Sequence, residues 1–418
     1  MSKKGVRQFG RALFDKLTMC NTFSPKKFNR YVVCTAFFVI GVLGHTGCLA
    51  VGQPYTPMND NEVLETLPRN YLQISPAANS DRNPEALDLS TVAKQIRAYL
   101  SLASDTGDER YLGYADALIS RLNETALQTT DILMSRAALL QRRHQFEEAL
   151  DLLQQVTTRY PQHGEAHLMS AYIYLAQGKA DAAEKHCSQV LSQYGGVAGL
   201  SCLASAKSLQ GDLETYYQML KKVLRTRSVS PVEQQDGLLS LAEIARMRGE
   251  FAVAEEYYRA ALQLNSNDSF LLMRLADLYL TQGNYRNCIT LLQDHQQHAN
   301  LLLRLAIAQQ GLQQQVDPSI AKQLQRYFEL QLLRNPKLAT RDYAEYLLHI
   351  QQDPVGALTV AQTNWQSQRE VADTELVVRA AIAAGKVKRI TPVIDWIRES
   401  GMQDSRIRMQ LAGVSVSL

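Results

Sequence analysis

The sequence predicts an all-α fold, a solenoid of antiparallel helix pairs. Three observations carry that expectation. From residue 88 onward the apolar residues recur at helical spacing, and no alternating Val/Ile/Thr-rich run suggests a sheet. The helical stretches are short, and they return with a period of about 34 residues. Finally, the 418 residues are 46% hydrophobic, with 44 Lys+Arg, 41 Asp+Glu, 22 Gly and 12 Pro. That is too apolar and evenly charged for a wholly disordered chain, and too poor in Gly and Pro for a collagen-like one. Length leaves two or three globular domains or one elongated repeat array.

The chain opens on a segment outside this pattern. Residues 1–47 hold eight bases and one acid, net +7, whereas 48–418 hold 36 bases and 40 acids, net −4. The overall excess of +3 therefore resides in the N-terminus, and no basic stripe recommends nucleic acid as a partner. Tyr31 to Gly52 carries no charge and follows Lys26, Lys27 and Arg30. Such a basic flank stays on the cytoplasmic side, so the chain beyond this run is expected outside the cytoplasm. Three fates fit. Leu43-Gly44-His45-Thr46-Gly47-Cys48 resembles a bacterial lipoprotein signal with Cys48 as the lipidated residue, although His45 stands where that pattern wants Leu. Cleavage after Ala50 and retention as an uncleaved anchor are the alternatives, since roughly 20 apolar residues span a bilayer. The basic segment is long for a signal, which makes Met19 a candidate start. Residues 1–48 are thus expected to be a signal or membrane anchor. The remainder is then expected in the cell envelope, attached to the membrane through its N-terminus and facing the periplasm.

Residues 49–87 hold five of the 12 prolines (Pro54, Pro57, Pro68, Pro76, Pro84) among Asn, Asp and Ser, and read as a Pro-rich tether. The short run Asn61 to Leu67 has the apolar residues to dock on the folded body.

The folded body is expected over 88–418, with the clearest repeats between 130 and 300. The segment LMSRAALLQRRHQFEEALDLLQQVTTRYP repeats its logic in LMSAYIYLAQGKADAAEKHCSQVLSQYG, in LLSLAEIARMRGEFAVAEEYYRAALQLN and in LLMRLADLYLTQGNYRNCITLLQD. Two antiparallel helices approach closely only where small side chains sit at the crossing, and large residues then fill the space between successive pairs. The small residues are Ala137, Ala171, Ala204, Ala242 and Ala276 in first helices. In second helices they are Ala149, Ala183, Ala254 and Cys288, while Tyr216 breaks the pattern. Turn glycines stand at Gly178, Gly211, Gly249 and Gly283, aromatics just after the turn at Phe146, Phe251 and Tyr285, and Pro161 closes a repeat. On these residues the sequence resembles the tetratricopeptide repeat family, a helix–turn–helix unit of about 34 residues. The resemblance implies a right-handed α-solenoid.

The flanks follow the same outline less closely. Residues 88–122 keep a helix–Gly-Asp–helix shape around Gly107, and 301–418 read as degenerate pairs ending in a polar cap, for about seven or eight pairs in all. Asp317-Pro318 and Asp353-Pro354 have the form of an N-cap followed by a first-turn proline, whose missing N–H costs nothing there.

Catalytic signatures are absent: the chain has no GxxxxGK[ST], no HExxH, no GxSxG and no CxxC, and no enzyme, cofactor or small-molecule ligand is expected. His163 and His167 are four apart with His186 one helix later, a spacing that can share a metal when the side chains converge. Because His163 falls in a turn, surface polar residues are the preferred reading. The run Asp294 to His298 reads as a solvated helix end. Cys187 and Cys202 lie fifteen residues apart in adjoining helices. Packed thiols are the preferred reading and a disulfide the alternative; Cys288 fills a small-residue slot.

Arrays of this family bind partners along a concave face lined by the first helix of each pair. Carried onto this chain, the resemblance gives Met134, Arg142, Leu168, Tyr172, Leu175, Leu239, Glu243, Arg246, Phe270, Met273 and Asp277 as groove positions. The Lys/Asn/Arg clamp of chaperone-docking relatives is not reproduced. Tyr, Phe, Met and Leu with isolated charges suit an apolar or helical segment. The leading expectation is a protein–protein scaffold that binds another cell-envelope protein and supports secretion, pilus or polysaccharide assembly. The alternative is a carbohydrate- or peptidoglycan-interacting accessory protein whose groove aromatics stack on sugars.

Overall fold

The computed structural model describes residues 88–416, except 227 and 336–337. The expected signal with Cys48, and the expected tether, lie outside the described residues. Those described form helices and turns, with no strand among them. Successive pairs are α1 (Leu89–Thr106) with α2 (Arg110–Ile119), α3 (Thr130–Arg142) with α4 (Phe146–Arg159), and α5 (Gly164–Ala176) with α6 (Ala180–Tyr194). Next come α7 (Gly196–Leu209) with α8 (Thr215–Thr226), α9 (Pro231–Arg248) with α10 (Phe251–Leu264), and α11 (Ser269–Thr281) with α12 (Tyr285–Leu292). The last are α13 (Ala299–Gly311) with α14 (Pro318–Arg334), α15 (Arg341–Glu345) with α16 (Pro354–Trp365), and α17 (Val371–Ala383) with α18 (Thr391–Ser400). A final helix, α19 (Ser405–Ala412), ends the array, and a single turn, Glu124–Leu127, precedes α3. Nine pairs are present among the described residues, against the seven or eight expected. The extra one was hidden because α15 has only five α-helical residues before a π turn at Tyr346–Ile350, too few for periodicity to show.

The helix starts follow the sequence signals. Ser230 and Glu233 form a reciprocal capping box with Pro231 in the first turn. Asp268 accepts from the Phe270 and Leu271 amides, Asp317 from Ser319 and Asp353 from Gly356, so both Asp-Pro pairs cap as expected. At the crossings Ala137, Ala171, Ala204, Ala242 and Ala276 are all buried, as are Ala149, Ala183, Ala254 and Cys288. Burial also pushes the Cys288 thiol up to about 12, which keeps it a neutral packing group. One apolar cluster runs from Ala242 to Tyr346 without a break at residue 300.

Cys187 of α6 and Cys202 of α7 are joined by a disulfide, with Cα atoms 5.4 Å apart. The preferred reading of packed thiols is therefore corrected in part. Both residues are fully buried, as expected of packed cysteines, but the helices bring them within bonding reach.

The C-terminal segment lies back along the turn edge of the array. Gln368 Nε2 is 2.6 Å from His144 Nδ1, and the Arg369 amide donates to the Ala176 carbonyl at 2.7 Å. The Arg369 guanidinium sits 4.3 Å from the Trp365 ring centroid and 6.0 Å from that of Trp396. Turn glycines make the approach feasible. Gly211 has φ +85°, and a Cβ there would lie 2.5 Å from the Gly401 carbonyl oxygen. Gly385 has φ +64° with open space around it. Both alanine replacements meet the left-handed backbone cost of about 1–2 kcal/mol, but only Gly211→Ala adds a clash with main chain. Urea midpoints should therefore fall further for Gly211→Ala than for Gly385→Ala; equal losses would mean that the segment does not rest there.

Candidate functional site

The eleven groove positions divide into two sets. Met134, Leu168, Leu175 and Arg246 are buried. Met134 belongs to the N-terminal core, and Leu168 packs in the cluster that holds the disulfide. Leu175 is covered by the C-terminal segment, in a cluster with Trp365, Ile397 and Met402. The other seven keep part of their surface open. Among these, Arg142 Nη1 donates to Ser104 Oγ at 2.9 Å, and Met273 Sδ accepts from Asn300 Nδ2 at 3.7 Å. Burial, and then Asp236, push the Tyr172 phenol well above its usual range, so it stays a neutral hydroxyl.

The charges on this face are not isolated. Arg274 Nε donates to Glu243 Oε1 at 2.6 Å, and Arg246 Nε to Glu243 Oε2 at 3.1 Å. Arg246 Nη1 reaches Asp404 Oδ2 at 3.1 Å. Arg304 bridges Asp277 at 2.9 Å and Asp342 at 2.6 Å. Arg341 bridges Asp373 at 2.8 Å and Glu370 at 2.5 Å. Arg379 pairs with Glu345, and Arg406 Nη2 reaches Glu375 at 2.8 Å. The members come from first helices and the last helix: α9, α11, α13, α15 and α17 each add charge, Glu370 caps α17, and Asp404 caps α19. Burial raises the Glu243 carboxyl, but Arg274 and Arg246 outweigh it and hold the group well below the usual carboxylate range. For Glu345 the same contest is decided by Arg379 and His349.

Exposure differs from pair to pair. Arg304 is 4% exposed beside Asp277 and Asp342 at 28% and 35%. Beside Arg246 and Arg341, by contrast, Asp404 and Asp373 are 0% exposed. The expectation of isolated charges in the groove is thus corrected over α9 to α17, where the charges are paired. The residues missed at sequence level are Arg274, Arg304, Arg341, Asp342, Glu345 and Arg379. A signal was available: Arg274, Arg304 and Asp342 each stand two places before a buried alanine, namely Ala276, Ala306 and Ala344. That register, shared across units, puts them on one face.

The histidines do not form a ligand set. His163 caps α5, its Nδ1 accepting from the Ala166 amide at 3.2 Å. His167 is buried, which corrects the surface reading. Because a carbonyl only accepts, His167 Nε2 donates to the Pro161 oxygen at 2.9 Å, and its Nδ1 then accepts from His186 Nδ1 at 2.9 Å. The ring centroids are 5.1 Å apart, so donor and lone pair point along nearly one line with no room for an ion between. No group of three or more metal-ligating side chains occurs among the described residues. His298 is also buried rather than solvated, close to Gly107 of the first turn. Burial and then His167 pull His186 from its ordinary 6.5 down to about 4. Between those values the unfolded chain binds the proton that the folded one refuses. Stability should therefore fall as pH drops from 6.5 toward 4, and His186→Gln should reduce the slope of the urea midpoint. Parallel pH profiles for both proteins would refute this.

The helix pairs, the buried small-residue crossings and a face built from first helices define the class, an α-solenoid of helix–turn–helix units. Residues 140–200 match the family described as Tetratricopeptide repeat. Similar solved structures include a Rap protein complexed with Competence and Sporulation Factor, at 14% identity and TM-score 0.48, over 77% of this chain and 90% of that one. Another is a tetratricopeptide repeat protein from Parabacteroides merdae, at 14% identity and TM-score 0.37, over 69% of this chain and 99% of that one. A third is the apo form of the quorum sensor NprR from B. thuringiensis, at 12% identity and TM-score 0.38, over 76% and 89%. No curated protein is similar enough in sequence to match.

Proposed function

We propose that this chain is a non-enzymatic scaffold of the bacterial cell envelope, held to the membrane by its N-terminus, that binds a protein partner along its first-helix face. The observation that carries the reading is that face itself: one row of first helices presents Tyr172, Leu239, Phe270 and Met273 beside the outward carboxylates Asp277, Asp342 and Glu370. Such a surface offers contact area and directional polar anchors without a nucleophile, base and oxyanion donor gathered at one point. Export is supported by the charge order of residues 1–52 and by the buried disulfide, which persists in oxidising compartments. A role in secretion, pilus or polysaccharide assembly fits such a scaffold. The test is photocrosslinking in living cells, with a photoreactive residue at Tyr172 or Phe270 and, as control, at exposed Gln154 of α4. Crosslinks to a defined envelope protein from the first two positions alone are expected. Equal labelling from Gln154, or none from Tyr172 and Phe270, overturns the reading.

A further inference from the structure

We draw no further inference here: the strongest candidate, the exposed apolar patch that Leu330 and Leu333 make near the end of α14, is an unpartnered helix face, and nothing in the structure shows what covers it.

Discussion

Replacing Arg341 with methionine should destabilise the chain by about 3 kcal/mol at neutral pH, the low end of what stranding a buried charge costs. Arg341 is the cation that serves Asp373, whose side chain is fully buried, through a 2.8 Å bond to Oδ1 and a second to Oδ2. Burial already raises the Asp373 carboxyl above its ordinary value, with Arg341 opposing the rise. Removing the guanidinium leaves Asn364 Nδ2, at 2.9 Å, and the Glu370 amide as donors, neither of which is a charge. The sign with pH follows. In the variant the folded-state pKa rises further above the unfolded one, so the penalty is present above the folded pKa and is relieved as pH falls through it. Urea midpoints at pH 7 and pH 5 should therefore differ less from wild type at the lower pH. A loss that does not shrink on acidification would show that Asp373 is not the stranded group.

Removing the disulfide with Cys187→Ala and Cys202→Ala should cost about 3 kcal/mol, since the bond closes a fifteen-residue loop. Part of the effect acts on the unfolded chain, which loses a constraint. The rest is local, because both sulfurs sit in the cluster with Leu168, Ala171 and Val190. Intact mass after alkylation without reductant reads the bond directly, and thermal unfolding reads its worth. If both cysteines alkylate once the protein is denatured without reductant, the bond is absent. The double alanine variant should then lose no more than two small buried side chains are worth.

The fold was largely legible because a solenoid is locally encoded. Ala137, Ala171 and Ala204 recur because two helices must cross there, and Gly178 and Gly211 recur because the turn needs a left-handed residue, φ +71° and +85°. Each of these requirements is met within one unit or its neighbour, so period and composition expose them. Beyond residue 300 the outline blurred, since α15 is too short and its π turn shifts the register by which the eye counts.

The first-helix face was legible only by position. The family resemblance placed Glu243, Arg246 and Asp277 on first helices, where they stand, but not their partners: Arg274 and Asp404 for the first two, Arg304 for the third. Nothing in a 34-residue period says that residue 404 returns to residue 246. That contact depends on how small rotations between successive pairs add up over many units, and each unit's sequence constrains its own rotation only weakly. Charge order, helix pairing and the small-residue crossings are thus properties of the chain read locally. The burial of Leu175 and Arg246, the pairing of the first-helix charges and the return of α19 belong to the assembled array, because long-range packing alone decides which side chains lose their solvent.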